Sequence, residues 1–239
     1  MASLLDNLEA RSVPWNIRDA ALGFGIVLAG LVAVAAVLAL SGVTDAEAAS
    51  QNTTLTLLLT GLVAVLMIGV GWLLGVRKYG VSWDALGFVR PRGRYPFLLA
   101  ALALGVSIGF TALYSVTVDA LGIGTLQPEA LPGVFTGQNG QERVLAILVL
   151  AVLGPLGEEV FFRGFLFGAL AKIMRVVPAL AATGALFALG HVEVSVLIPI
   201  FVTGLALTWL YARTGSIWPP FAAHLGQNLI AVVASFGAT

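Results

Sequence analysis

The stretch Arg143–Ala171, RVLAILVLAVLGPLGEEVFFRGFLFGALA, decides the fold. It is apolar for longer than the roughly 20 residues that a helix needs to cross a bilayer, and too long for one straight span. Pro155 lies inside it. A proline removes a backbone donor and its ring clashes one turn back, so the helix is predicted to kink or break near Gly154-Pro155. The same stretch carries Glu158, Glu159 and Arg163 where charge is expensive.

Working outward, six further apolar runs flank it. Ala20–Leu40, Thr54–Val76 and Tyr95–Leu121 precede it; Val177–His191, Val194–Tyr211 and Ile217–Phe236 follow. The predicted fold is all-α: a polytopic transmembrane helical bundle of about seven spans, the fourth kinked near Pro155. Composition agrees. Hydrophobic residues make up 59% of the 239 and charged ones only 10%, against roughly 25% charged in a soluble domain. Such a chain cannot cover a soluble surface, and lipid is the alternative solvent. Zero net charge gives no basic face for nucleic acid. The absence of cysteine excludes disulfides, thiolate metal sites and thiol catalysis. The 28 glycines suit close helix contact in a bilayer. Ala46-Glu47-Ala48 faintly resembles a signal-peptide cleavage site. The first apolar run is longer than a signal core, and Asp6, Glu9 and Asp19 precede it, so a retained helix is expected.

The cations set the orientation. Arg11 and Arg18 precede the first run. Arg77, Lys78, Arg90, Arg92 and Arg94 lie between the second and third, Lys172 and Arg175 between the fourth and fifth, and Arg213 between the sixth and seventh. These segments alternate, so all fall on one side, and the N-terminus is predicted cytoplasmic. Trp15, Trp72, Trp209 and Trp218 fall near the same helix ends, where indoles favour the headgroup zone. With no internal repeat, one membrane domain is the simplest organisation.

Buried charge in lipid needs a partner or a function. Glu159 and Arg163 are four apart and share a helix face, so they are expected to pair. Glu158 points about 100° away and lacks that partner, which suits a general base. His191 ends a helix of only about 22 Å and is expected inside the membrane. A bond to a neighbouring carbonyl is the plain explanation for a lone histidine there. His224 and Asn228, four apart on the last helix, both donate hydrogen bonds and together could hold an anionic oxygen. An interhelical hydrogen bond is the plainer role for Asn228. Glu193, two residues past His191, is expected in a solvated turn.

The set Glu158-Glu159-x-x-x-Arg163, Phe187-x-x-x-His191 and His224-x-x-x-Asn228, in that order on successive apolar helices, resembles the CPBP intramembrane peptidases, which include the CAAX prenyl endopeptidases and Abi-like bacteriocin-processing proteins. The resemblance covers roughly Trp83 to the C-terminus, including the approach Leu86-Gly87-Phe88-Val89-Arg90-Pro91. It divides the chain into an added pair of helices (1–82) and a peptidase core (83–239). It implies that Glu158 and His191 activate a water against a peptide carbonyl and that His224 and Asn228 stabilise the oxyanion. Glu159 and Arg163 would support the site, and Phe187 would pack beside His191. Glu158, His191 and His224 also make a zinc-type ligand set, so a divalent metal and a metal-free route both stay open. The implied partners are membrane lipid and a peptide or protein C-terminus, prenylated or not, in a prokaryotic cell membrane. Two rivals remain: a proton- or ion-coupled transporter, disfavoured by the lack of repeats and of paired broken helices, and a non-catalytic scaffold on a peptidase fold. Flux without proteolysis would mark the first; a phenotype indifferent to Glu158 would mark the second.

Overall fold

The computed structural model describes residues 8–43, 48, 52–128, 139–191 and 193–236. Among these there is no strand. The described residues form a bundle of seven long helices: α1 Ile17–Leu40, α2 Thr53–Arg77, α3 Pro96–Ala120, α4 Gly140–Leu170, α5 Val176–Leu189, α6 Leu197–Thr214 and α7 Trp218–Ser235. No boundary departs from the apolar run that predicts it by more than three residues. The helices α1 to α4 and the segment Val194–Thr214 are long and apolar enough to cross a membrane. At 14 residues α5 is shorter, about 21 Å at 1.5 Å per residue. Helix α7 carries the polar residues His224, Gln227 and Asn228. Of the faint cleavage site, residues 46 and 47 lie outside the described residues.

Helix α4 continues through Pro155 for 31 residues, but its winding changes on either side of the proline. Ile147–Leu153 and Glu159–Leu166 are π-helical, and only Gly154–Glu158 between them is α-helical. A purely α-helical segment of that length would span about 46 Å. Bonding five residues back packs more residues into each turn and shortens the element. Single π-turns are rare and gather at functional sites. Here two flank the paired glutamates.

Small residues set the helix crossings. A Cβ on Gly157 would lie 2.7 Å from the Ala64 carbonyl oxygen, so α2 and α4 touch backbone to backbone beside Glu158. A Cβ on Gly204 would lie 3.0 Å from Gly184 Cα, which brings α5 and α6 equally close. The Ser107 hydroxyl bonds the Thr203 hydroxyl and donates to Gln227 Oε1 at 2.7 Å, linking α3, α6 and α7.

The cation-bearing segments gather at one end of the bundle. Lys78 Nζ lies 2.5 Å from Asp19 Oδ1, and Tyr79 donates to Asp19 Oδ2 at 2.6 Å. Arg92 meets Glu9 at 2.7 Å, and Arg11 donates to the Gly215 carbonyl at 3.0 Å. Lys172 Nζ reaches the carbonyls of Val13 and Trp15 at 3.1 and 2.8 Å. Asp19 also closes the capping box of α1, accepting from the Asn16 N–H while Asn16 Oδ1 accepts from Asp19 N–H. Trp15, just before α1, is wholly buried in protein: its ring tilts over Phe165 at 5.6 Å and its Nε1 donates to the Phe165 carbonyl at 2.9 Å. A buried indole N–H needs such an acceptor.

Candidate active site

Helix α4 supplies three of the six expected residues, and its register explains their pairing. Arg163 Nη1 donates to Glu159 Oε1 at 2.9 Å, with neither side chain exposed. The guanidinium has further partners. Its Nε donates to Thr208 Oγ1 at 3.3 Å, its Nη2 reaches the Gly204 carbonyl at 3.4 Å, and its Cζ lies 4.3 Å from the centre of the Phe187 ring. A charge sealed from water is tolerable only when its donors are matched in this way.

Helix α7 brings His224 to the same carboxylate. Its Nδ1–H donates to Glu159 Oε1 at 2.8 Å. That bond fixes the ring orientation and turns Nε2 toward Glu158 Oε2, 3.7 Å away. Glu159 is therefore more than the partner of Arg163, because it also aims His224. Oε2 of Glu158 is buried and has no hydrogen-bond partner, although the side chain is 23% exposed. The exposed part faces a cavity of about 430 Å³ between α1, α2, α4 and α5. Its walls are almost wholly apolar, with Leu31, Met67, Phe161 and Leu186 typical of them. Glu158 and His191 are its ionisable members.

His191, exposed in the turn after α5, lines the same cavity as Glu158. Its Nδ1–H donates to the Phe187 carbonyl at 2.9 Å, the plain bond expected of a lone histidine, and leaves Nε2 as an acceptor. Phe187 is the common neighbour. Its ring centre lies 5.0 Å from that of His191, 5.7 Å from that of His224 and 5.2 Å from that of Phe162. The spacing Phe187-x-x-x-His191 made this contact readable from sequence. Nothing local signals Thr208 or Gly204, which reach Arg163 across more than 40 residues.

Asn228 takes a separate place. Its Nδ2 donates to the Leu150 carbonyl on α4 at 2.8 Å. Glu193 is exposed in the turn after α5 and accepts from Ser195 Oγ at 2.5 Å, outside the cluster.

The zinc-type set does not assemble. Among the described residues no three His, Asp or Glu side chains come close enough to share an ion. The Nδ1 atoms of His191 and His224 are bonded to Phe187 and Glu159, which leaves Nε2 free on each ring.

Residues 140–230 match the model of the family described as "Type II CAAX prenyl endopeptidase Rce1-like". All six polar residues lie within that segment. It starts at α4, so α3 and the approach to it lie outside the match. Over 89 residues the chain is 35% identical to "Putative membrane peptidase YdiL" of Bacillus subtilis, an overlap covering 37% of this chain and 36% of the relative. Over 177 residues it is 27% identical to "UPF0177 protein YxdF" of Lactococcus lactis, covering 70% of this chain and 89% of the relative. The chain thus spans about a third of the first relative's length. No solved structure matches it. The long apolar helices together with the family match mark an integral, multi-pass membrane protein.

Proposed function

We propose that the chain is an intramembrane endopeptidase in which Glu158 activates water, a reading supported by the match of residues 140–230 to the Rce1-like family model. One observation carries this reading. A carboxylate oxygen without a partner borders an apolar cavity, with His191 on the same wall and His224 behind it. A scaffold has no use for a buried carboxylate left in that state.

In the proposed cycle a water sits between Glu158 and the free Nε2 of His191. Glu158 takes a proton from it as the oxygen attacks the scissile carbonyl. The new oxyanion accepts a hydrogen bond from Nε2–H of His224. Donation from that atom requires the doubly protonated ring, for which the Glu159 carboxylate is the counter-ion. With His224 charged, Glu158, Glu159, Arg163 and His224 sum to zero, the one neutral total this buried group can reach with both carboxylates ionised. Glu158 then passes its proton to the departing amine as the C–N bond breaks, which restores the carboxylate. Glu159 and Arg163 position His224 and do not touch substrate.

The substrate in this reading is a peptide or protein C-terminus held in the apolar cavity, a prenylated CAAX-type terminus being the family's example. Residues 83–239 form the peptidase core. Residues 1–82 add α1 and α2, which supply the far wall of the cavity through residues such as Leu31 and Met67. The cationic end of the bundle, and with it the N-terminus, faces the cytoplasm of a prokaryotic cell.

The test uses the purified protein in lipid nanodiscs. Two internally quenched peptides are offered, one with a farnesylated cysteine near its C-terminus and one apolar and unmodified, and products are read by mass spectrometry. The wild type should cut at least one. Glu158→Ala and His191→Ala should cut neither while eluting as folded protein. Full cleavage by both variants, or ion flux in proteoliposomes without cleavage by the wild type, would overturn the reading.

A further inference from the structure

The bond from Asn228 to Leu150 has a cause in the backbone of α4. In the first π-helical stretch the Gly154 N–H donates to the Val149 carbonyl, five residues back. The next donor in that register is residue 155, and its acceptor is the Leu150 carbonyl. Residue 155 is proline and has no N–H. Counted in that register, the Leu150 carbonyl lacks an intrahelical donor, and in an apolar span such a group needs another partner. Asn228 Nδ2 takes the vacant place at 2.8 Å.

Two bonds then tie α7 to α4, one turn apart on α7. His224 is held by Glu159 and Asn228 by Leu150. The chains run antiparallel here, since the later residue on α7 meets the earlier one on α4. Together with the Ser107–Gln227 bond to α3, the two bonds fix the rotation and height of α7, and so the place of His224 Nε2 opposite Glu158. The Leu150 bond is the second of the two that hold α7 against α4 itself.

We infer that Asn228 is a positioning residue: its amide substitutes for the N–H missing at Pro155, and it serves catalysis by holding His224 in register rather than by touching the oxyanion. This departs from the role the family resemblance gives it. It rests on the peptidase reading only through its activity readout.

A double-mutant cycle separates the two roles. Asn228→Ala, Pro155→Ala and the double variant are compared with the wild type for Tm in nanodiscs and for kcat on whichever peptide the wild type cuts. Asn228→Ala should lower Tm and lower kcat on the order of 10²-fold, the usual cost of a small misplacement at a reacting centre. Pro155→Ala gives residue 155 an N–H for the Leu150 carbonyl. In that background the loss on adding Asn228→Ala should shrink to about threefold or less in kcat, with little further fall in Tm. Reading ratios divides out any effect Pro155→Ala has alone.

If Tm shows no coupling, the clamp itself is wrong, whatever the activity. If Tm is coupled while kcat stays down as far as in Asn228→Ala, the amide acts on the oxyanion and positioning is wrong. A wild type that cuts no peptide refutes the peptidase reading, and the Tm cycle still decides the clamp.

Discussion

Glu159 is the residue on which the buried cluster turns. One oxygen, Oε1, accepts from both Arg163 and His224 at 2.9 and 2.8 Å, while Oε2 has no partner. Glu159→Gln would remove the charge that compensates a sealed guanidinium. Breaking a buried pair from one side typically costs about 3–5 kcal/mol, so the variant should unfold at much lower temperature, and kcat should fall with it as His224 loses its aim. Thermal melts of the nanodisc-embedded protein test this; an unchanged Tm would contradict it. The Glu159–Arg163 pair was legible in sequence because it is local, four residues on one helix. The bond to His224 was not, because it joins positions 65 apart and depends on how α7 settles against α4. The same holds for Trp15. Its position at a helix entrance was legible; the pocket that buries it was not, because Gly75 and Phe165, which make it, lie far along the chain.

At the scale of elements, glycines govern how near the helices come. At Gly157 an added methyl would meet Ala64 backbone, which cannot swing aside as a side chain can. Gly157→Ala should therefore push α4 from α2 and move its neighbour Glu158 at the cavity wall. Overpacking of this kind costs about 1–3 kcal/mol. The expected outcome is a lower Tm together with a fall in kcat, whereas Gly105→Ala, with open space around the new methyl, should change neither. Equal behaviour of the two variants would refute the crossing argument. Helix positions were readable from sequence because apolar runs bounded by cations and turns leave little freedom in lipid. The π-helical winding of α4 was not. Pro155 announces a disturbance, but whether a helix bends, breaks or rewinds depends on which partners take up the freed carbonyls, and Asn228 lies 73 residues after it.

For the whole molecule, the cationic end works as a base from which α1 rises. Its last buried residue is Val27; Val32, Val37 and Leu40 beyond it are exposed. The anchor is the Asp19–Lys78–Tyr79 group. The carboxylate of Asp19 raises Lys78 above the ordinary lysine range, chiefly through its hydrogen bond, and raises Tyr79 in the same way. Both folded-state values lie above the unfolded ones. Folding therefore gains from these protons below the ordinary values, and the gain is lost as pH climbs through the raised ones. Stability should fall on the alkaline side, from roughly pH 10 upward, and Lys78→Met should be less stable at neutral pH with a flatter alkaline limb. Tm measured against pH decides it; parallel limbs for the two proteins would contradict the anchor.

The claim on which all of this converges is that Glu158 does the chemistry. The measurement is kcat for Glu158→Gln on the peptide the wild type cuts, taken with Tm in the same nanodiscs. The amide keeps the shape of the side chain and cannot accept the proton of water. The reading predicts a loss of about 10²–10⁴-fold in kcat from a protein that still folds, since Glu158 Oε2 accepts no hydrogen bond that the amide would lose. Cleavage at the wild-type rate by a folded Glu158→Gln protein would contradict it.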